Sequence, residues 1–485
     1  MKYLETRRVF LAILAVGLFT MAARSVTDPD VWWHLRTGQL MVQQHAVFHA
    51  DPYSFTRSGQ PWVDHEWLSQ LVIFGVYRWT SWGGLMGAFA LITAAALLVV
   101  YLRCPGRPYV AGVMVLLGAF ASAPSWGVRP QMLTCLLASL LLLVLERSYQ
   151  RPRLLWWTPA MMLLWVNLHA GYALGIGLMG TFLIGDALDA AFGFKDGPLV
   201  AGRLRSLSLA TIACIAVVPL NPYGTAMYSY PLQTLRSPAM QSYIQEWFSP
   251  NFHLQRYLPL LAMILLTMAA LALSPKRLRP REVLLLCVTM YAALRSVRHA
   301  PIYALIAVPI LSALVQAYLQ ERGFAGWLEG KPRPMTTPKA LFHAFLLAGV
   351  VVFMMARVGY LVRRQSAAEA RKFPMAAAAF LSAQHLQGPV LNPYNWGGYL
   401  IWKLYPQYRV YVDGRADLYG DAFMNERDAI YYLRRDSWRS LLDQRGIRTV
   451  VLPPDAPLVT ALAAMTEWQT IYSDKQAVVL TRAKS

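Results

Sequence analysis

Three observations predict a polytopic α-helical membrane protein that ends in a small α/β domain. The chain has 485 residues, of which 56% are hydrophobic and only 14% are charged, whereas soluble domains are about one quarter charged. Apolar runs recur along residues 1–361, and runs of roughly 20 apolar residues cross a hydrocarbon core about 30 Å thick. From residue 374 onward the pattern changes to short strands that alternate with helices.

Eleven apolar segments are the predicted membrane spans. They are 9–25, 84–102, 109–124, 130–146, 154–167, 171–192, 206–220, 255–274, 283–297, 301–319 and 341–361. The first has two interpretations, a cleaved signal peptide or an uncleaved span, and the many later spans favour the second. Segment 67–82 is apolar enough to span, but counting it would place the later basic loops outside, so we predict an interfacial or partly inserted helix.

Basic residues set the predicted orientation. Loops rich in Lys and Arg alternate with loops that are poor in them, and the basic ones are 103–108, 146–153, 193–205, 274–282 and 320–340. The positive-inside rule places these loops and the N-terminus in the cytoplasm. We expect the cytoplasmic (inner) membrane of a bacterium, with the C-terminal domain extracytoplasmic. Basic residues concentrate in these loops as that rule demands, so the net charge of +20 does not indicate nucleic acid, and none is expected as a partner.

Two domains are predicted, a transmembrane domain at 1–361, with 26–82 as its first outer loop, and an extracytoplasmic α/β domain at 362–485. Strands are expected in GPVLN, YRVYVDG, IRTVVLPP, QTIYSD and QAVVLTR. Helices are expected in FPMAAAAFLSAQHL, WGGYLIWKLYP, RDAIYYLRRDSWRSLLDQRG and APLVTALAAMTEW. The sequence contains no GxGxxG motif and no P-loop, so no nucleotide cofactor is expected. Four cysteines without a CxxC pair predict neither a disulfide framework nor thiolate-bound zinc.

The first candidate site is TDPDVWWHLRTGQ at 27–39. A helix that begins near Pro29 would have Asp28 as its N-cap and would place Asp30 and His34 one turn apart on one face. Such a group suits a general base or a divalent cation, because Mg²⁺ and Mn²⁺ prefer carboxylate oxygens. The alternative is a helix cap beside an aromatic belt made by the two tryptophans.

The motif DHE lies in the same outer loop. Its two carboxylates, Asp64 and Glu66, would complete a metal site with Asp30. The alternative is a solvated loop.

A third candidate site is RSVRH, at the outer end of a predicted span. Arg295, Arg298 and His299 have the spacing of one helical face, and Arg129 of GVRPQ is a candidate member of the same cluster. Guanidinium groups suit a phosphate or diphosphate. The alternative is that these side chains extend to lipid headgroups.

Five further residues are weaker candidates for substrate binding. His169 of NLHAGY and Glu246 of EWFSP would line a cavity between helices, or would be ordinary polar helix ends. Trp396, Asp413 and Arg415 lie in the stretch 392–420, where turns and strand ends often carry binding loops. The alternative for these three is a role in domain folding.

DPDVWWHLRTG, followed by DPYSFTRSG, resembles the start of the first outer loop in oligosaccharyltransferase catalytic subunits. NWGGYLIW followed by VDGR is similar to that family's Trp-Trp-Asp-Tyr-Gly signature, but Gly397 or Gly398 stands where the family has its sequon-reading aspartate. The resemblance implies the GT-C membrane glycosyltransferase fold and a catalytic or metal-binding role for Asp28 or Asp30. It leaves the family's second acidic motif open among Asp64/Glu66 and Glu246, and it does not imply sequon specificity.

The expected function is therefore transfer of a sugar or glycan from a polyprenyl-phosphate-linked donor to an acceptor at the extracytoplasmic face. The expected partners are that lipid-linked sugar and membrane lipid, and the expected cofactor is a divalent cation, Mg or Mn. The alternative is a non-catalytic membrane subunit or a transporter that handles lipid-linked glycans in envelope assembly.

Overall fold

A computed structural model describes residues 4–193, 197–324, 335–384, 386, 388–434 and 437–483. Parts of the predicted basic loops 193–205 and 320–340, and of the predicted helices around residues 385 and 435, lie outside these ranges. The chain forms two compact units. The first comprises Met1–Arg24, Met86–Pro231 and Gln245–Leu361, and the second comprises Ser25–Leu85, Leu232–Ile244 and Val362–Ser485.

The first unit is a bundle of helices. Its described helices are Thr6–Ala22, the later part of Trp67–Arg103, Tyr109–Ser122, Gln131–Arg147, Thr158–Leu168, Tyr172–Ala191, Gly197–Ala216, the start of Ala226–Arg236, Leu258–Leu273, Pro280–Arg295, Ala300–Glu321 and most of Thr337–Arg363. Short 3-10 turns lie at Ala123–Ser125, Pro152–Trp157, Gln245–Trp247, Gln255–Tyr257 and Val297–His299.

Helix Ala300–Glu321 lies at the centre of this bundle. Every residue from Ala300 to Leu314 is buried, and a helix that is apolar on all sides is expected in a core. Helix Tyr109–Ser122 crosses it closely, because a Cβ placed on Gly118 would lie 2.4 Å from a methyl carbon of Val308. A small residue at this position therefore permits the contact, as is usual between membrane helices.

In the described part of the chain, five helices are long and apolar enough to cross a membrane. They are Trp67–Arg103, Tyr172–Ala191, Gln255–Leu273, Val297–Glu321 and Thr337–Arg363. The protein is therefore an integral membrane protein. Each of the eleven predicted spans overlaps a helix, but the remaining helices are shorter or less apolar, so the number of crossings stays a prediction.

Helix Trp67–Arg103 is broken at Ser81, whose φ of 55° and ψ of −155° are not helical. The break separates the segment predicted to be interfacial from the predicted span 84–102. The location of segment 67–82 relative to the bilayer stays a prediction.

The second unit combines helices with a four-stranded sheet. Its described helices are Val31–Gln44, the early part of Trp67–Arg103, Pro238–Tyr243, Gln365–Lys372, Met375–Ala383, Tyr394–Leu404, Ala416–Tyr431, Trp438–Gln444 and Pro457–Ala463. The sheet order is Val390–Leu391, Thr449–Leu452, Val478–Arg482 and Trp468–Ser473. The first pair is parallel and the other two are antiparallel.

Two predictions for the tail are wrong. YRVYVDG is not a strand of the sheet, because its Val410 makes only isolated bridges, to Ser54 and Val390. The backbone of Val410 exchanges hydrogen bonds with Tyr53 and Phe55, so its partner is the first outer loop. The segment predicted as one helix at 427–446 is also interrupted, since one helix ends at Tyr431 and the next begins at Trp438.

The division into units differs from the predicted domains in two segments, 26–82 and 232–244. Residues 26–82 were assigned to the transmembrane domain, but they lie in the second unit together with the tail. The cause is visible at Val26, whose backbone N–H and C=O bond the side chain of Gln365 at 2.9 and 2.8 Å. Side chains far apart in sequence make this unit, which no local pattern indicates.

Candidate functional site

The Asp-Pro-Asp motif forms the turn that begins helix Val31–Gln44. Oδ1 of Asp28 accepts a hydrogen bond from the backbone N–H of Asp30 at 2.9 Å, and Asp30 is the last residue before the helix. The helix thus begins two residues later than predicted. Asp28 therefore lies beside the N-terminus of this helix, where the backbone carries a partial positive charge.

Asp30 is packed against the tail. The indole N–H of Trp33 donates to Oδ1 of Asp30 at 3.2 Å, and a Cβ placed on Gly414 would lie 1.7 Å from the same oxygen. A Cβ on Gly398 would likewise lie 2.5 Å from the carbonyl oxygen of Pro29. Because Gly398 and Gly414 have no side chain, the Asp-Pro-Asp turn can pack closely against the tail.

Trp396 does not offer the predicted aromatic binding surface. Its side chain is buried, and its indole N–H donates to the backbone oxygen of Lys372 at 3.1 Å. The prediction is corrected to a packing role, because the helix Tyr394–Leu404 turns this tryptophan inward.

Asp413 and Arg415, predicted to bind substrate, form a buried ion-pair network instead. The guanidinium of Arg415 bonds both carboxylate oxygens of Asp413 at 2.7 Å and Oδ1 of Asp51 at 2.8 Å. Asp413 is 0% exposed and Arg415 2%, so neither reaches a ligand without opening the unit. Their role is to connect the outer loop to the tail.

Arg415 and Asp51 hold each other in the ionised state. Burial lowers the pKa of Arg415, but the carboxylates of Asp413 and Asp51 outweigh it and raise this pKa well above its ordinary value. Burial raises the pKa of Asp51, but Arg415 and the hydrogen bonds of Ser54 and Tyr53 lower it below its ordinary value. Sequence analysis missed Asp51, although DPYS is a typical signal of a side-chain-capped turn.

The DHE motif is an internal cluster. The amide of Gln70 donates to Oδ1 of buried Asp64 at 2.5 Å. Glu66 lies between two imidazoles, 3.4 Å from Nε2 of His34 and 3.2 Å from Nε2 of His65. Burial raises the pKa of Asp64 to about 7. Burial lowers the pKa of His65, but Glu66 outweighs it and the net pKa lies above the ordinary value.

The predicted metal site at Asp30, Asp64 and Glu66 does not assemble. Among the residues that the structure describes, no group of three or more His, Cys, Asp or Glu side chains could hold a metal ion. Oδ1 of Asp30 accepts the indole N–H of Trp33, and Oδ1 of Asp64 accepts the amide of Gln70. The expected divalent cation stays a prediction.

The raised pKa of Asp64 predicts a pH-dependent stability. An unfolded aspartate titrates near pH 3.9, so between about pH 4 and pH 7 the folded state keeps a proton that the unfolded state releases. This stabilisation is complete below about pH 4 and is lost as the pH rises towards 7. Asp64→Asn keeps an oxygen for Gln70 and titrates no proton, so its thermal unfolding midpoint relative to the wild type should be higher at about pH 8 than at about pH 5.

The exposed Asp455 provides the control for this measurement. The thermal unfolding midpoint of Asp455→Asn should differ from that of the wild type by the same amount at both pH values. An equal difference for Asp64→Asn would contradict the buried, protonated state of Asp64.

In the first unit, Glu246 lies between two guanidinium groups. It forms an ion pair with Arg129 and lies 3.9 Å from Arg298. Burial raises the pKa of Glu246, but Arg129 and Arg298 outweigh it and lower this pKa below its ordinary value. Trp247 packs under the cluster, with the guanidinium of Arg298 5.5 Å from its ring and the edge-on ring of His299 at 5.9 Å. The structure thus brings together four predicted residues, Arg129, Glu246, Arg298 and His299.

The predicted helical face through Arg295, Arg298 and His299 is wrong. Helix Pro280–Arg295 ends at Arg295, Ser296 is extended with φ −153°, and a 3-10 turn follows. The Ser296 hydroxyl donates to the backbone oxygen of Glu246 at 2.8 Å, and Val297 N–H donates to that of Phe248 at 3.0 Å. This pairing with the segment at 246–248 interrupts the helix.

His169 has a local structural role. Its Nδ1 accepts the backbone N–H of Gly171 at 2.9 Å and lies 2.9 Å from the hydroxyl oxygen of Thr134. The indole N–H of Trp165 donates to the same hydroxyl oxygen. These contacts stabilise the buried end of helix Thr158–Leu168, and the predicted substrate contact of His169 stays a prediction.

The fold is the GT-C fold of membrane glycosyltransferases. Archaeal oligosaccharyltransferase AglB from Archaeoglobus fulgidus, in complex with an inhibitory peptide and a dolichol-phosphate, matches with a TM-score of 0.58 and 11% identity over 92% of this chain and 69% of that chain. Its apo form gives a TM-score of 0.55 and 11% identity over 93% and 70%. ArnT from Cupriavidus metallidurans, bound to undecaprenyl phosphate, gives 0.51 and 15% identity over 98% of both chains. No family model and no curated protein matches the sequence.

Proposed function

We propose that this protein is a membrane glycosyltransferase that transfers a sugar or glycan from a polyprenyl-phosphate-linked donor to an acceptor at the extracytoplasmic face. The observation that carries the proposal is the similarity of almost the whole chain to two GT-C structures, each of which contains a polyprenyl phosphate. Identities of 11% and 15% establish a common fold, and the activity is our inference from that fold and from the residues below.

The reacting carboxylate is Asp28. An acceptor nucleophile attacks the anomeric carbon of the donor sugar, the bond from that carbon to the phosphate oxygen breaks, and the polyprenyl phosphate or diphosphate leaves with the bonding electrons. Asp28 takes the proton that the acceptor loses, as a general base. We choose Asp28 over Asp30 because Asp30 is packed against Trp33 and Gly414, whereas Asp28 lies beside a helix start, where a partial positive charge favours a carboxylate.

Within the first unit, Arg129 and Arg298 are proposed to bind a phosphate group. Arginine forms paired hydrogen bonds with phosphate oxygens. Glu246 holds the two guanidinium groups in place. No step of this scheme requires a divalent cation.

The test is to delete the gene and compare membrane lipids by mass spectrometry. Loss of a transferase should cause its polyprenyl-linked sugar to accumulate, and the mass of the lipid identifies both sugar and carrier. Wild-type protein should reverse the accumulation, and Asp28→Asn at equal abundance should not. If Asp28→Asn reverses it fully, the enzyme proposal fails, and the non-catalytic alternative, a transporter or binding subunit, is favoured instead.

The orientation is tested separately by cysteine labelling. In a Cys287→Ser background, which removes the exposed native cysteine, Thr460→Cys should react with an impermeant thiol reagent in intact cells. Arg277→Cys should react only after the cells are opened, because the basic loop 274–282 is cytoplasmic by the positive-inside rule. Both positions are exposed on the protein. The reverse pattern would contradict the proposed extracytoplasmic site.

A further inference from the structure

A group of exposed basic side chains lies in the second unit close to where two membrane-length helices begin or end. We call it the boundary cluster. Its members are Arg78, Arg363, Arg364, Arg371 and Lys372.

The cluster adjoins the ends of two helices that are long and apolar enough to cross a membrane. The apolar helix that crosses towards Arg103 begins after the break at Ser81, and the apolar helix Thr337–Arg363 ends at the cluster. A Cβ on Gly83 would lie 3.4 Å from Val362, so the two helix ends are neighbours. Trp79 is 84% exposed beside them, and exposed tryptophans at the ends of membrane helices typically lie at headgroup level.

The short helix Gln365–Lys372 holds two members of the cluster rigidly. Two residues one turn apart fix its buried face. The side chain of Gln365 forms hydrogen bonds with the backbone of Val26, and Oε1 of Glu369 accepts the hydroxyl of Tyr399 at 3.0 Å. The backbone oxygen of Lys372 accepts the indole N–H of Trp396. Arg371 and Lys372 are exposed while their helix is anchored, so binding an anion there does not require ordering the backbone.

The predicted membrane orientation does not explain the presence of these basic residues. Lys and Arg at the cytoplasmic ends of spans are accounted for by the positive-inside rule, but the predicted orientation places the end of helix Thr337–Arg363 on the opposite side. Five basic residues at that end are therefore in excess of what orientation requires.

We propose that the boundary cluster binds the phosphates of anionic phospholipid headgroups and so docks the second unit on the membrane surface. Basic residues next to a membrane helix attract anionic lipids with about a fivefold gain in affinity for each charge near the surface. The positive charge of the cluster fits anionic headgroups. The exposed Trp79 and the adjoining apolar helices fit a location next to the bilayer. The proposal is independent of the glycosyltransferase activity.

The experiment measures thermal unfolding of the full chain in detergent micelles that contain increasing mole fractions of phosphatidylglycerol. The midpoint of the wild type should rise with phosphatidylglycerol, and it should not rise with phosphatidylcholine or with inorganic phosphate at matched concentration. The variant Arg363→Gln/Arg364→Gln/Arg371→Gln/Lys372→Gln should need on the order of 10³-fold more phosphatidylglycerol for half of the rise.

A matched variant removes the same number of charges elsewhere on the unit. Arg434→Gln/Arg439→Gln/Arg448→Gln/Lys475→Gln changes four exposed basic residues and should respond like the wild type, as should the charge-preserving Arg363→Lys/Arg364→Lys/Arg371→Lys. If the fourfold cluster variant does not fold, the pairs Arg363→Gln/Arg364→Gln and Arg371→Gln/Lys372→Gln should each show part of the loss. An unchanged response of the cluster variants, an equal loss in the matched variant, or an equal effect of inorganic phosphate would overturn the proposal.

Discussion

Replacing Asp28 with asparagine is expected to reduce transfer by about 10²- to 10⁴-fold, the range that a general base contributes. Asparagine keeps an oxygen that accepts the backbone N–H of Asp30, so the turn before the helix is preserved. It cannot take a proton from the acceptor. The expected loss is therefore in the rate of the chemical step, with little change in the amount of folded protein.

The measurement uses membranes that carry equal amounts of each variant and the lipid-linked sugar that accumulates in the deletion strain. Initial rates are compared for wild type, Asp28→Asn and Asp30→Asn. Asp30→Asn keeps an oxygen for the indole of Trp33 and should lose much less activity than Asp28→Asn. A larger loss for Asp30→Asn would move the proposed base to that residue, and full activity of both variants would remove the Asp-Pro-Asp turn from the mechanism.

Local sequence signals predicted local structure. The Asp-Pro pair indicated a helix with Asp28 as its N-cap. The helix forms, but it begins at Val31 and its N-cap is Asp30, whose side chain makes no capping hydrogen bond. Apolar runs also fall on helices, because burial in lipid requires continuous apolar faces whose backbone groups are satisfied internally. These features depend on residues within a few positions of one another.

Features that depend on distant partners were not predictable. The glycines of NWGG and VDGR resembled a ligand-binding signature, but the structure uses Gly398 and Gly414 to admit Pro29 and Asp30. Nothing within the tail indicates that its neighbour is the Asp-Pro-Asp turn. The same limit explains the helical face drawn through Arg295 and Arg298, which is interrupted because Ser296 bonds Glu246.

The clustering of Arg129, Glu246 and Arg298 was anticipated only in part. Sequence analysis grouped Arg129 with Arg298 by chemistry, and placed Glu246 elsewhere as a separate candidate. The structure makes Glu246 the anion that both arginines share. Opposite charges at low exposure tend to pair in membrane proteins, because an isolated charge is costly there. The same rule predicts that Glu246 pairs with Arg129 and Arg298.

Replacing Arg415 with methionine is expected to destabilise the second unit by about 3–5 kcal/mol, the cost of removing one partner from a buried ion pair. Methionine fills much of the volume of arginine but leaves Asp413 and Asp51 without their shared cation. Both carboxylates are nearly inaccessible, so water does not replace the lost hydrogen bonds. Differential scanning of the full chain in detergent should show a lower unfolding midpoint, whereas Arg409→Met, at an exposed position, should change it little.

The pH dependence of this loss distinguishes the lost charge from lost packing. Arg415 lowers the pKa of Asp51 against the effect of burial, so without Arg415 burial raises the pKa of Asp51 and makes this carboxylate costly to keep ionised. A raised pKa stabilises the folded state at low pH and not at high pH. The deficit of Arg415→Met should therefore be smaller at about pH 5 than at about pH 8. Arg415→Lys keeps a cation and should show a smaller loss of stability with weak pH dependence. If the loss for Arg415→Met is equal at both pH values, packing rather than the ion pairs connects the outer loop to the tail.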